Sequence, residues 1–315
     1  MLLFLLRRTV GFLATLLAIS VIVFAVMNLL PGDPALTVLG IDSTEDARAA
    51  LRAQMGLDRP AAERFLAWIG GALVGDFGTS WSFGVPVAGL IAERLPLTLS
   101  LAASGMVVTL VVALALGMAA AANHRRPGDW AMMLLSQLGI AVPAFWLAIL
   151  LVLLFAVTLR WLPPGGFPGW GEPAAAASSL ILPTISLALV QSAVLARVTR
   201  SAALEAMRLD FVRTARATGL SPARILWRHV LPNALAPIVT IVGMQFAGVV
   251  TGAIVIENVF YLPGLGRLIF QSIANRDLIT VQALVLMFAA IVVAANFLVD
   301  VAYVLIDPRL KARAT

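Results

Sequence analysis

The chain has 315 residues, of which 61% are hydrophobic and 12% charged, with a formal net charge of +6 and no cysteine. So apolar a composition excludes an ordinary soluble domain, and the missing cysteines exclude disulfides and thiolate metal sites. The basic excess would suit nucleic acid if it were scattered, but sorted along the chain it takes a topological meaning.

Six charge-free windows stand out: Thr9 to Gly32, Leu95 to Ala122, Trp130 to Leu159, Pro173 to Ala196, Val230 to Ile256 and Leu278 to Val299. Each exceeds the roughly 20 residues a helix needs to cross about 30 Å of hydrocarbon. The expectation is an all-α polytopic membrane protein with six transmembrane helices. It divides into a tail and first helix (1–32), a small external helical segment (33–94) and a five-helix core (95–310). With the N-terminus inside, the inner segments hold fourteen basic residues against four acids, and the outer segments eight against eleven. The positive-inside rule then puts both termini in the cytoplasm and removes the nucleic-acid reading. The first window follows Arg7-Arg8 as a signal peptide would, but its apolar run is longer than an h-region and LLPGDPAL has no small-x-small site. It is read as a retained helix.

In segment 33–94, Ser43 and Asp46 resemble a capping box opening a helix that stops at Gly56-Leu57, and a second helix starts near Pro60 with Phe65, Leu66, Ile69 and Leu73 on one side. GDFGTSWSFG after it is turn chemistry. The segment either caps the membrane domain or docks a soluble binding protein. Loop 123–129 is short and basic and suggests no chemistry. Pro143 within the third window predicts a kink.

The loop 200–232 is the most distinctive stretch. Its core, DFVRTARATGLSPARILWRHVLP from Asp210 to Pro232, reads as two short helices joined at a corner. Asp210 is a candidate N-cap, Gly219 suits the left-handed C′ position, and Ser221-Pro222 can restart a helix at once. Helical spacing puts Phe211, Ala215 and Thr218 on one face and Arg213 and Arg216 on the other. On the sixth helix Asn296, Asp300, Tyr303 and Asp307 form a polar stripe. Asp300 is read as a structural partner of a neighbouring helix or of Arg197 or Arg200, with a translocation or proton-relay role as the alternative.

This loop resembles the coupling loop of permease subunits in bacterial ABC importers of the dipeptide, oligopeptide and nickel type, whose commoner wording is close to DYVRTARAKGL. Arg213 and Thr214 follow that variant, while Gly219, Leu231 and Pro232 match the wider importer pattern of EAA, three residues, Gly, nine residues and I-x-LP. Thr218 stands where Lys is common. Further likenesses are Pro31 to Ala35, Leu57 to Pro60, Gly75 to Gly78, Trp161 to Pro164 and the stretch around Pro263-Gly264-Leu265-Gly266-Arg267, so the resemblance covers about residues 4 to 310. It implies that Asp210, Phe211, Arg213, Thr214, Ala215, Arg216, Gly219, Leu220, Leu231 and Pro232 form the ATPase-coupling loop. It also implies an inner-membrane location and the partners: a second, homologous permease subunit, two ATP-binding subunits that hold ATP and Mg, and an external solute-binding protein. Membrane lipid completes the surroundings.

Nothing points to an enzyme. Only His124 and His229 are available as imidazoles, which is too few for a histidine-based metal site, and no GxxxxGK loop is present to bind ATP. No cofactor and no metal are therefore expected in this chain. The rival reading is a secondary, ion-coupled transporter, which should show repeated halves and midplane ionisable groups; neither is evident in the sequence.

Overall fold

A computed structural model describes residues 2–29, 34–40 and 42–306. The motif residues Pro31 to Asp33 and Asp307 to Arg309 lie outside the described residues. Among the described residues, apart from one antiparallel bridge between Thr79 and Pro86, the regular structure is helical. The helices are α1 (Leu2–Leu29), α2 (Pro34–Leu39), α3 (Glu45–Gln54), α4 (Ala61–Leu73), α5 (Val87–Ala122), α6 (Pro127–Ala141) and α7 (Ala144–Leu151). They continue with α8 (Pro173–Ala206), α9 (Asp210–Ala217), α10 (Pro222–Ile225), α11 (Leu231–Val259), α12 (Leu265–Ala274) and α13 (Leu278–Ile306).

Among the described residues, five helical stretches are long and apolar enough to cross a membrane. The sixth expected span is a bent pair: α6 and α7 meet at 103°. The cause is local. Pro143 has no N–H, and it forces the residue before it out of the helical region, so Val142 sits at φ −90°, ψ 122° and the chain restarts with Pro143 as N-cap of α7. The kink predicted at Pro143 is thus a full break. A π-helical stretch, Val152–Thr158, ends α7, where the Thr158 hydroxyl donates to the Leu153 carbonyl at 2.8 Å.

The chain forms two compact units. One comprises residues 99–262 with the terminal ends of α1 and α13, and its axis is α8. Helices α6, α7 and α11 all pack against α8, which is the most buried of the apolar helices. Apolar burial gains little where lipid is the solvent, so close packing and interhelical hydrogen bonds must hold such a helix. The residues of α8 suit that. Ser179, Thr184, Ser186, Ser192 and Thr199 are buried along it; Thr184 shares a 2.9 Å hydrogen bond with Ser104 of α5, and Gln245 Nε2 of α11 donates to the Gln191 carbonyl at 3.0 Å. Such a bond contributes on average about 0.6 kcal/mol in a membrane, and at most about 1.7 kcal/mol. At Gly117 of α5 the helices are in such close contact that an added Cβ would lie 2.6 Å from Thr199 Cβ and 2.7 Å from the Ala196 carbonyl oxygen.

The other unit comprises residues 6–98 and 263–294. Buried Asp277 precedes α13 and caps it, accepting from the Thr280 amide at 3.3 Å and the Thr280 hydroxyl at 2.8 Å. The same carboxylate takes the Ser80 hydroxyl and the Ser82 amide, which fixes the turn after α4. Phe24, Phe65 and Trp68 pack with ring centroids 5.3–6.3 Å apart, and Arg64 donates to Asn28 Oδ1 at 2.6 Å. Two expectations change here. The cap of α3 is Thr44, whose side chain accepts from the Ala47 amide, while the Ser43 hydroxyl turns back to the Gly40 carbonyl. On α4 the half-buried face is Phe65, Trp68 and Ile69; Leu66 and Leu73 are exposed.

Candidate functional site

The coupling-loop candidates lie on α9 and the chain that follows it. Helix α9 is eight residues long, and Leu209 rather than Asp210 holds its N-cap position, without a side-chain bond. Asp210 is the first helical residue, which still places its carboxylate at the positive end of the helix. It is 92% exposed and pairs with Arg213 at 3.3 Å, itself 81% exposed. The Thr214 hydroxyl donates to the Asp210 carbonyl at 3.2 Å. Arg213, Thr214 and Arg216 thus present an open, cationic face.

The opposite face is seated. Val212 and Ala215 are buried in a cluster with Met118 and Ala121 of α5 and Ala203 and Ala206 of α8, and Phe211, Leu220 and Leu231 pack against it. The expected face of Phe211, Ala215 and Thr218 is therefore rotated: Thr218 is exposed, and Val212 supplies the deepest contact. Small alanines on α8 let α9 rest close to it, so a helix too short to be stable alone is held by its footing.

Gly219 ends α9 with φ +79°. Its N–H donates to the Arg216 carbonyl at 3.0 Å and the Leu220 N–H to the Ala215 carbonyl at 3.3 Å, the paired bonds of a Schellman ending. No atom lies within 4 Å of where a Cβ would stand, so only backbone conformation demands glycine here. Ser221 takes the next N-cap position but makes no side-chain cap bond, and Pro222 opens α10.

The second short helix is not separate. α10 runs through a π-helical turn, Leu226–Val230, into α11, giving one continuous helical stretch from Pro222 to Val259. Pro232 explains the turn, because it cannot donate to the Arg228 carbonyl and its ring crowds that oxygen; widening the helix there relieves both. A cavity of about 510 Å³ lies beside the corner, lined by Arg216, Leu220, Pro222 and Trp227 among others. A larger one of about 770 Å³ lies within the other unit, lined by Arg64 and Trp68 among others.

Loop 123–129 holds a cluster that sequence reasoning passed over. Asp129, 4% exposed, accepts from Arg200 Nε at 2.6 Å, Arg200 Nη2 at 2.7 Å and the Arg125 amide at 3.0 Å. His124 Nδ1 is 3.3 Å from Asp129 and 3.2 Å from Arg200. Arg200, which the sequence offers as one partner for Asp300, is engaged by Asp129. The available signal was positional: an acid in the first turn after Pro127, in an otherwise basic loop. In the polar stripe, Asn296 is exposed on α13; the side chains of Asp300 and Tyr303 lie outside what is described. Among the described residues no three His, Asp or Glu side chains gather as metal ligands.

Comparison with known proteins bears on the whole chain. The family described as binding-protein-dependent transport system inner membrane component matches residues 113–312, and its N-terminal counterpart matches residues 1–102. A peptide transport system permease protein of Brucella abortus (strain 2308) is 41% identical over 307 residues, covering 97% of this chain and 98% of that protein. The glutathione transport system permease protein GsiC of Salmonella typhi is 40% identical over 311 residues, covering 99% of both. Among solved structures, the inward-facing MetNI methionine ABC transporter aligns with a TM-score of 0.54 at 17% identity, over 69% of this chain and 96% of that one, a likeness of fold.

Proposed function

Since the chain belongs to the family of binding-protein-dependent transport system inner membrane components, we propose that it is the permease subunit through which an ABC importer, driven by ATP hydrolysed on partner subunits, moves peptides, glutathione included. It is a multi-pass inner-membrane protein. In this reading it pairs with a second, homologous permease, two ATP-binding subunits engage the inner face, and an external binding protein delivers the solute. Both termini are cytoplasmic, as the charge sorting argues. The names of the relatives favour peptides over nickel as the cargo.

One observation carries the coupling part: α9 has a buried apolar face on α5 and α8 and an exposed face of Arg213, Thr214 and Arg216. A helix so placed can touch a soluble partner on one side and the membrane helices on the other, which is what transmission of a nucleotide-driven motion requires. The chain needs no catalytic group for this.

The test is reconstitution. Purified from its native membrane, the assembly should contain a second permease, the ATP-binding subunits and a binding protein, and in vesicles it should take up peptide only with ATP. Uptake driven by an ion gradient without ATP would favour a secondary transporter instead.

A further inference from the structure

The buried carboxylate of Asp129 accepts from three donors, Arg200 Nε, Arg200 Nη2 and the Arg125 amide, and His124 Nδ1 lies 3.3 Å from it. Holding them has a conformational cost. Arg125 sits at φ +63°, a left-handed conformation that a non-glycine residue adopts only where its surroundings impose it. A buried ion pair is a poor way to gain stability alone, since well-packed apolar residues often do as well. What a bidentate guanidinium–carboxylate fork adds is a single allowed geometry between the two elements that carry it.

Those two elements are informative. Asp129 lies in the first turn of α6, the helix that leads into the 103° bend before α7. Arg200 lies on α8 one turn before Ala203, on which α9 is seated. Building on the importer reading above, we propose that Asp129 and Arg200 are positioning residues of the transport cycle. Their fork locks the start of α6 to the end of α8, so that a displacement of α9 passed to α8 is carried into the bent α6–α7 segment. His124 braces the fork from the side.

The experiment uses the complete assembly reconstituted with its partner subunits, comparing wild type, Arg200→Lys and Asp129→Asn. Lysine keeps the charge but not the planar fork, so Arg200→Lys separates positioning from simple charge pairing. The expected result is normal assembly and a near wild-type rate of ATP hydrolysis, with peptide uptake per ATP reduced roughly two- to thirty-fold, the range of changes in coupling between sites. Asp129→Asn should act in the same direction. Wild-type uptake per ATP in Arg200→Lys would overturn the proposal, as would a loss of assembly or thermal stability in that variant that accounts for all lost uptake. An assembly whose wild type shows no ATP-dependent uptake would sink the importer reading itself, a different outcome from an unchanged ratio in the variants.

Discussion

Gly117 and Gly219 are both glycines of the same unit, yet they answer opposite demands. At Gly117 the backbone is ordinary helix and space is the constraint, with Thr199 Cβ and the Ala196 carbonyl oxygen within 2.7 Å of an added Cβ. At Gly219 space is open and the constraint is conformation, with φ +79° closing α9. The first glycine belongs to the packing of α5 on α8, the second to the corner that turns α9 away from the helix it rests on. Removing one should damage the fold of the unit; removing the other should damage what the unit transmits.

The largest effect is expected at the packed position. Gly117→Ala puts a methyl against a backbone carbonyl that cannot move without shifting α8, and overpacking of this kind costs about 1–3 kcal/mol. The outcome should be a lower melting temperature and poor recovery of the intact chain in detergent, read by thermal-shift measurement and size-exclusion chromatography. A variant as stable as wild type would show that α5 and α8 are less tightly apposed than the structure has them.

Gly219→Val should be milder in stability and sharper in function. The strain of a β-branched residue at positive φ is on the order of 1–2 kcal/mol, and it falls on the turn alone. The chain should insert and purify normally while association with the ATP-binding subunits weakens or uptake per ATP hydrolysed drops. If reconstituted assemblies kept both, the corner would be only a connection between helices.

The contrast also marks how far the sequence could be read. Gly219 was legible because a left-handed helix ending is a local matter: one glycine, three residues before Pro222, is enough. The apolar windows were legible for the same reason, since length and absence of charge are local counts. The 103° bend at Pro143 was only half legible, because proline announces a break but the angle depends on what the two halves pack against. The rotation of α9 toward Val212 depends on the alanines of α8, whose nearness is a property of the fold. Asp129 and Arg200 are 71 positions apart, and nothing in either neighbourhood names the other.

Arg213→Glu tests the exposed face of α9, and its effect should be smaller than that of Gly219→Val. The side chain is 81% exposed and its pair with Asp210 is worth little to the fold, since solvent screens such charges. Stability should therefore stay within about 0.5 kcal/mol of wild type. Reversing the charge should instead weaken association with the ATP-binding subunits, and this change should shrink as salt is raised. An affinity that is altered equally at low and high salt would point to shape rather than charge at this face.

The smallest effect is expected from Gly219→Asn, and it is the most exacting check on the distinction between space and conformation. Asparagine is the non-glycine residue most at home in the left-handed region, because its short amide can bond to nearby backbone, and it serves at helix C′ positions in glycine's place. No atom stands within 4 Å of the site of its Cβ, so the side chain meets no obstacle. If conformation is all that position 219 requires, Gly219→Asn should retain most uptake per ATP and cost only a few tenths of a kcal/mol, well below the valine variant. If Asn failed as badly as Val, the demand at the corner would be for an absent side chain, and the surface around Gly219 would be in contact with a partner during transport. That outcome would make Gly219 a second Gly117, with the close neighbour supplied by another subunit.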